Sequence, residues 1–194
     1  MDVYLLPTRA GHYFLYAGEL GTAFEDREPG TGSDSTGKRL VALLRKGFHR
    51  VTWSRRQKEL LLQSLGALER VRVLYPSSLS AANARGIFDD LVESEIAKHK
   101  KWMVVNTAAI PVAVPLSLVP GPNLLLAYLA WRSLTHYKTK KAGERAAGLP
   151  VDFVAEPRLN ELVDLVRRWP MRARLRIREL GESLGFDRLD RAYV

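Results

Sequence analysis

The sequence predicts a mainly α-helical protein with a small N-terminal β-hairpin, organised as a helical bundle that contains a Pro-kinked apolar helical hairpin. Three observations carry this prediction. Apolar residues recur at helical spacing over much of the chain, the opening segment places a turn signal between two apolar runs, and a long central segment lacks charge. With 194 residues, 46% of them apolar, the chain is long enough to bury a core.

The first β-structure is predicted from the opening residues. Short runs rich in β-branched and aromatic residues, 3–6 and 12–16, flank the turn signal Thr8-Arg9-Ala10-Gly11. The run 71–76 is also short and β-branched, so we expect it to be extended and to add to this hairpin. The opening does not match a signal peptide, because Asp2 replaces the usual basic start and Pro7 interrupts the apolar run, and it does not match a transit peptide, which would be rich in arginine and poor in acidic residues.

Helices are predicted where apolar residues recur at intervals of three and four. This spacing places helices at about 37–49 and 53–70, and a third one from near Ser80 to the basic residues at 98–101. A further helix is predicted with Pro157 at its first position and Pro170 after its end. Residues 171–178 alternate like a strand, but the apolar residues beyond them continue a helical spacing, and we predict a helix.

The composition excludes several kinds of chemistry. The chain has no cysteine, which rules out disulfides, a thiolate zinc site and a cysteine nucleophile. It also lacks a P-loop, a dinucleotide-binding glycine pattern and a His-Glu-x-x-His motif. The sequence therefore predicts no enzyme, no cofactor and no metal site.

The central segment from Trp102 to Trp131 is the most informative one. Its 30 residues contain no Asp, Glu, Lys, Arg or His. About 20 apolar residues suffice to cross a bilayer, and tryptophan is common at the lipid–water boundary. Helix-breaking residues in the segment favour a hairpin over a straight span. The residues assigned to this membrane hairpin and its turn are Pro111, Pro115, Pro120, Gly121, Pro122 and Asn123.

The two arms of the predicted hairpin are short. The first arm, 103–119, would be about 25 Å long as a helix and the second, 124–131, about 12 Å, against a hydrocarbon core of about 30 Å. We therefore expect the hairpin to dip into the membrane, with its turn covered by association with another copy of the chain or with other membrane subunits. The alternative is that the segment is the buried centre of a soluble bundle.

Basic residues stand on both sides of this segment, within a chain of net charge +9. Such flanks are typical of contacts with anionic lipid. The predicted headgroup-binding residues are Lys98, Lys100, Lys101, Trp102, Trp131, Arg132, Lys138, Lys140 and Lys141. The uncharged segment and its basic flanks predict a division of the chain into a cytosolic part (1–101), a membrane hairpin (102–131) and a basic helical tail (132–194).

Two histidines, His99 and His136, stand just outside the two ends of the segment. They are the nearest groups that titrate near neutral pH, which makes them the candidate proton-linked residues. An antiporter normally needs a titratable group within the membrane, and the uncharged segment offers none. The sequence therefore favours a supporting role in ion movement over direct antiport.

The quoted residues resemble one known family. The opening MDVYLLPTRAGHYFLYAGE, the LYPSS element at 74–78 and IPVAVPLSLVPGPNLLLAYLAWRSLTHYKTKKAG are similar to the mitochondrial K+/H+ exchange-related family. The resemblance implies a membrane protein connected with potassium–proton exchange and organelle volume control. It does not imply that this chain is itself the exchanger. The expected location is an organelle inner membrane or, for a bacterial relative, the cytoplasmic face of the cell inner membrane.

A second interpretation belongs to a different class. Eight basic residues and no acidic one occur between Lys38 and Lys58, and six arginines occur from Arg167 to Arg178. A soluble basic module that binds nucleic acid or another polyanion would use these clusters, with an affinity that falls steeply with salt.

Overall fold

The computed structural model of the protein describes residues 1–18, 57–114, 124–168, 173–186 and 189–193. In chain order the elements are β1 (Asp2–Pro7), β2 (Tyr13–Tyr16), α1 (helical residues 57–65), β3 (Val71–Pro76), α2 (Ala81–Ala113), α3 (Leu124–Ala147), β4 (Val151–Glu156), α4 (Arg158–Arg168), α5 (Arg174–Ser183) and a short 3-10 helix (Leu189–Tyr193). The helix predicted at 37–49 and the first residues of that predicted at 53–70 lie outside the described residues.

The four strands form one sheet in the order β2-β1-β3-β4. The hairpin of β1 and β2 is confirmed: the two strands pair antiparallel, and its turn contains Gly11 with a φ of 80°. Positive φ is favourable for glycine because it has no Cβ. The strand β3 joins this hairpin as expected, in parallel with β1. The parallel strand β4 extends the sheet further and was not predicted.

Helices pack on both faces of the sheet, which corrects the predicted helical bundle. Because successive side chains of a strand point to opposite faces, β1 contributes to two separate cores. Val3 packs with residues of α1, α2 and β3 on one face. Leu6 packs with residues of α4, α5 and the 3-10 helix on the other face. The sheet is therefore the centre of the fold, and the bundle prediction lacked this middle layer.

Helix α2 begins as predicted, since the Ser80 hydroxyl accepts a hydrogen bond from the Asn83 N–H at 3.2 Å and caps the first turn. The predicted end at residues 98–101 is wrong. The helix continues for 33 residues to Ala113, or about 50 Å. Lysine is a good helix former and nothing between 98 and 110 breaks the helix. Pro111 lies inside the last turn, and the Val114 N–H still donates to the Ile110 carbonyl.

Helices α2 and α3 pack side by side and run antiparallel. Their contacts include His99 with His136 and Thr107 with Ser133, so the residue number falls on one helix as it rises on the other. A Cβ added to Gly143 would lie 2.7 Å from the Ile96 side chain, which shows how closely the two helices approach. The prediction of a Pro-kinked apolar hairpin is not confirmed: both helices extend well into charged sequence, and residues 115–123, which include the turn predicted at 120–123, lie outside the described residues.

Both distal helices are present where the sequence predicts helix. Helix α4 begins at Arg158, directly after Pro157, and ends at Arg168, before Pro170. Helix α5 is confirmed despite the strand-like alternation, because Ile177, Leu180 and Leu184 are buried at intervals of three and four.

Candidate functional site

A pair of histidines joins α2 to α3 at mid-length. The Nδ1 atoms of His99 and His136 lie 2.8 Å apart, within hydrogen-bond distance. Only 2% of His99 and 4% of His136 is exposed to solvent. A direct bond between two buried imidazoles requires one ring to donate its Nδ1 proton and the other to accept it. The pair therefore holds one proton between two ring nitrogens.

The helical period explains why both rings point inward. His99 continues the buried face of α2 that contains Phe88 and Val92, at spacings of four and seven residues. On α3, His136 shares its face with the buried residues Thr139, Gly143 and Ala146. Because the two faces pack together, the two histidines meet although 37 residues separate them along the chain.

Acidic and basic side chains surround the pair. Glu59 of α1 contacts the Arg132 guanidinium at 3.4 Å. Glu95 of α2 lies 3.9 Å from the Nε2 atom of His99 and accepts a hydrogen bond from Lys98 at 2.8 Å. Three helices thus contribute charge to the site, with carboxylates and cations in similar number.

Burial keeps both histidines neutral at physiological pH. Loss of solvent lowers the pKa of His99, although the nearby carboxylates Glu59 and Glu95 oppose the shift. Burial, with Arg132 as the next cause, lowers the pKa of His136 to about 4. Neutral rings keep a free nitrogen lone pair, so both residues can accept a proton or bind a metal ion.

Glu59 completes a group of three metal-ligating side chains. One ligand atom from each of Glu59, His99 and His136 can be chosen so that all three lie within 4.8 Å of one another. We call these residues the His–Glu cluster. Two imidazole nitrogens and one carboxylate oxygen can coordinate a divalent transition metal, and the same groups can pass a proton between them.

The outer part of the α2–α3 pair has a different character. We call residues 102–114 and 125–134 the apolar tip. It contains nine of the twelve large apolar side chains that are exposed among the described residues: Trp102, Val104, Val105, Val112, Val114, Leu125, Tyr128, Trp131 and Leu134. Within the same range, Ala113 is the one residue that the described structure buries. Large exposed apolar patches are commonly sites of contact with proteins or membranes.

The predicted headgroup-binding residues do not all have the same surroundings. The side chains of Lys100, Lys101 and Lys138 are exposed at the base of the apolar tip. The exposed Lys141 contacts the Tyr137 hydroxyl at 3.4 Å. Three other cations have carboxylate partners, namely Lys98 with Glu95, Lys140 with Glu144 and Arg132 with Glu59. Trp102 and Trp131 are about half exposed, at 48% and 59%.

Five of the six residues predicted for the membrane hairpin and its turn, 115 and 120–123, lie outside the described residues, whereas Pro111 belongs to α2. Among the residues that the structure describes, no helix has both the length and the hydropathy needed to cross a bilayer.

The basic clusters of the nucleic-acid interpretation gain no support. Arg176 pairs with Glu161 and Glu179, and Arg178 pairs with Glu182. Of the stretch from Lys38 to Lys58, the described residues include only its last two, 57 and 58. No feature of the described residues favours a polyanion over lipid.

The sequence named two members of the His–Glu cluster as candidate proton-linked residues but did not predict their contact, and it missed Glu59. The three residues are separated by 40 and 37 positions, so no local motif joins them. The helical period could have placed each of the three residues on the inward face of its own helix. It could not have shown that these three faces meet, because that contact depends on how the helices pack together.

Taken together, the described residues form a mixed sheet covered by helices. Two of these helices, α2 and α3, run antiparallel and contain the buried histidine pair and the exposed apolar tip. A family model described as "Mitochondrial K+-H+ exchange-related" matches residues 31–147, which is more than half of the chain. This chain belongs to that family. The matched range includes the whole His–Glu cluster and α2, but not the opening residues that also suggested the resemblance. Searches of curated proteins and of solved structures gave no match to this chain.

Proposed function

We propose that this protein is a membrane-associated component or regulator of potassium–proton exchange and not the exchanger itself. The observation that carries the proposal is the apolar tip, with basic side chains at its base, in a chain of this family. No catalytic chemistry belongs to the proposal.

The geometry of the tip supports partial insertion into a membrane. Its 13 residues on α2 give a length of about 20 Å, which is less than the hydrocarbon core of about 30 Å. The contact of His99 with His136 brings the basic residues at 98–101 and 138–141 to the same level of the helix pair, at the base of the tip. Both basic groups can then contact the headgroups of one leaflet while the tip enters it.

The charge pattern of the tip favours an indirect role in ion movement. The tip contains no Asp, Glu, Lys or His that could carry the exchanged proton, and its one charged residue, Arg132, pairs with Glu59. The proposal therefore includes a partner: a second copy of the chain or another membrane subunit that moves the ions. The proposed location is an organelle inner membrane, or the cytoplasmic face of a bacterial inner membrane.

Vesicle flotation tests the membrane contact. Full-length protein is mixed with phosphatidylcholine vesicles with and without phosphatidylglycerol, and we expect binding that increases with the anionic lipid. The double variant Val112→Asp/Leu125→Asp should lose most of the binding, because charge is costly in hydrocarbon. The matched control is Leu175→Asp on α5, whose side chain is 75% exposed outside the tip.

Two results would overturn the proposed contact. One is that the wild-type protein stays in the soluble fraction with both kinds of vesicle. The other is that the tip variant and the Leu175→Asp control bind equally well. Circular dichroism on each variant shows whether a loss of binding accompanies a loss of structure.

Proton movement tests the role in exchange. Organelles or membrane vesicles from cells with and without the protein are given an outward potassium gradient, and the internal pH is followed with a dye. We expect slower potassium-dependent proton movement without the protein. Purified protein alone in proteoliposomes should produce no such movement, and potassium-dependent proton flux from the pure chain would contradict the supporting role.

A further inference from the structure

We propose that Glu59, His99 and His136 form a binding site for one divalent transition-metal ion of the zinc type. The inference goes beyond the proposed function and does not depend on it. It starts from the convergence of three helices, α1, α2 and α3, each of which supplies one ligand atom within 4.8 Å of the other two.

The donor set selects the class of metal. Two imidazoles and one carboxylate are a known ligand set for zinc, in which a fourth position stays open for water or another ligand. Calcium and magnesium prefer sites made of oxygen atoms alone. Since the chain has no cysteine, thiolate sites are excluded and the imidazoles must supply the softer ligands.

The distances require only a small adjustment. Metal–ligand bonds of about 2.1 Å in a tetrahedral site place ligand atoms about 3.4 Å apart. The two Nδ1 atoms are 2.8 Å apart in the metal-free hydrogen bond, so they must separate slightly to bind one ion, and the donating ring must move its proton from Nδ1 to Nε2. Glu59 contacts Arg132 at 3.4 Å, and the metal would replace that guanidinium as the partner of the carboxylate.

The surroundings of the two imidazole rings favour metal binding. Both rings are buried, so water does not compete for their lone pairs. Glu95 lies 3.9 Å from the Nε2 atom of His99, on the side of the ring away from Nδ1. Metal-binding histidines commonly donate their second ring nitrogen to a carboxylate, which orients the ring and strengthens the metal bond. Glu95 is placed to act as this positioning residue.

Metal titration of the purified full-length chain tests the proposal. The protein is stripped with a chelator and titrated with Zn2+ by calorimetry and with Co2+ by visible absorption. We expect one ion per chain and the strong visible bands of four-coordinate cobalt. His136→Asn should weaken binding on the order of 100-fold or more, since removal of even a supporting residue around a metal costs 10- to 100-fold.

The chain offers a matched control in His12, which is exposed in the β-hairpin turn region. His12→Asn should bind zinc as the wild type does. The proposal is overturned if the wild type binds no ion, or if His136→Asn binds as tightly as His12→Asn. It is also overturned if the His12→Asn variant loses the binding, which would locate the metal on surface histidine.

A second variant keeps the test decisive if His136→Asn fails to fold. The Glu59 side chain is 16% exposed, against 4% for His136, and Glu59→Gln keeps the shape of the side chain, so this variant should disturb the fold less. Zinc should raise the melting temperature of the wild type and of His12→Asn, because a ligand that binds only the folded state stabilises it. The same concentration of zinc should raise the melting temperature of Glu59→Gln clearly less than that of the wild type. An equal rise would overturn the assignment of Glu59 as a ligand.

Discussion

The two halves of helix α2 are in opposite environments although they form one continuous helix. The first half, up to Lys101, packs on the sheet and on α1 and α3, and it buries Ala84, Phe88, Val92 and His99. In the second half, the only residue that the described structure buries is Ala113. The first half thus stabilises the folded chain, whereas the second half leaves its apolar side chains exposed. The His–Glu cluster lies where these two environments meet.

The comparison predicts that equal truncations have very different costs in the two halves. Phe88 is 2% exposed and stacks edge-on against Phe153, so Phe88→Ala should lower the free energy of unfolding by about 3–5 kcal/mol. Trp102 is 48% exposed, and Trp102→Ala should change it by less than about 0.5 kcal/mol. Urea unfolding of both variants without lipid measures the difference. Similar costs would show that the tip is covered in the free protein.

Two glycine-to-alanine substitutions test how closely the helices pack in buried and exposed parts of the structure. A Cβ at Gly66 would lie 2.6 Å from the backbone Cα of Ala142, which cannot move aside easily, so Gly66→Ala should cost about 1–3 kcal/mol. At Gly86, on the exposed side of α2, an added Cβ would have no neighbouring atom within 4 Å, and Gly86→Ala should gain about 0.5–1 kcal/mol. Thermal unfolding of the two variants should therefore shift in opposite directions. A gain at both positions would contradict the close approach of α3 to the end of α1.

The smallest expected effect is a pH dependence on the other face of the sheet, away from the cluster. Hydrogen bonds from Arg158 lower the pKa of Glu156 below its ordinary value of 4.5. A lowered carboxylate pKa gives stability that is present above the ordinary value and is lost as the pH falls through the folded value. The stability gap between the wild type and Glu156→Gln should therefore close in acid. The gap should be about 0.2–1 kcal/mol at neutral pH, since Arg158 is half exposed.

The control for that titration is Arg158→Gln, which removes the other partner of the same ion pair. Its difference in stability from the wild type should decrease over the same acidic range. Arg158 also donates a hydrogen bond to the Ser183 carbonyl at 2.6 Å, so a part of its gap should remain at all pH values. A gap for Glu156→Gln that is equally large in strong acid would contradict the assigned shift.

Local sequence signals were sufficient for some elements and insufficient for others. The β-hairpin, the Ser80 cap and the start of α4 follow from residues within a few positions of each other, because turns and caps are local interactions. Strand β4 was missed because its partner β3 is about 80 residues away and its outer side chains are exposed. An edge strand of this kind has a weak pattern of its own.

The end of α2 was misplaced for a related reason. The cluster at Lys98–Lys101 marks a change of environment, and the sequence pattern treats such a change as a boundary of structure. The backbone hydrogen bonds of a helix do not depend on what its side chains contact, so α2 passes through this point unbroken. A change in polarity therefore marked the start of the apolar tip correctly and the end of the helix incorrectly.

By itself the sequence determined the N-terminal hairpin, β3 and the approximate positions of the described helices, where the uncharged segment lies and which histidines flank it, because these depend on local spacing and composition. Only the tertiary structure decided that a sheet separates two cores and that Glu59, His99 and His136 meet. Those contacts join residues about 40 or more positions apart. Their free energy comes from faces that pack together after the helices have formed, and no short stretch of the chain encodes which face meets which.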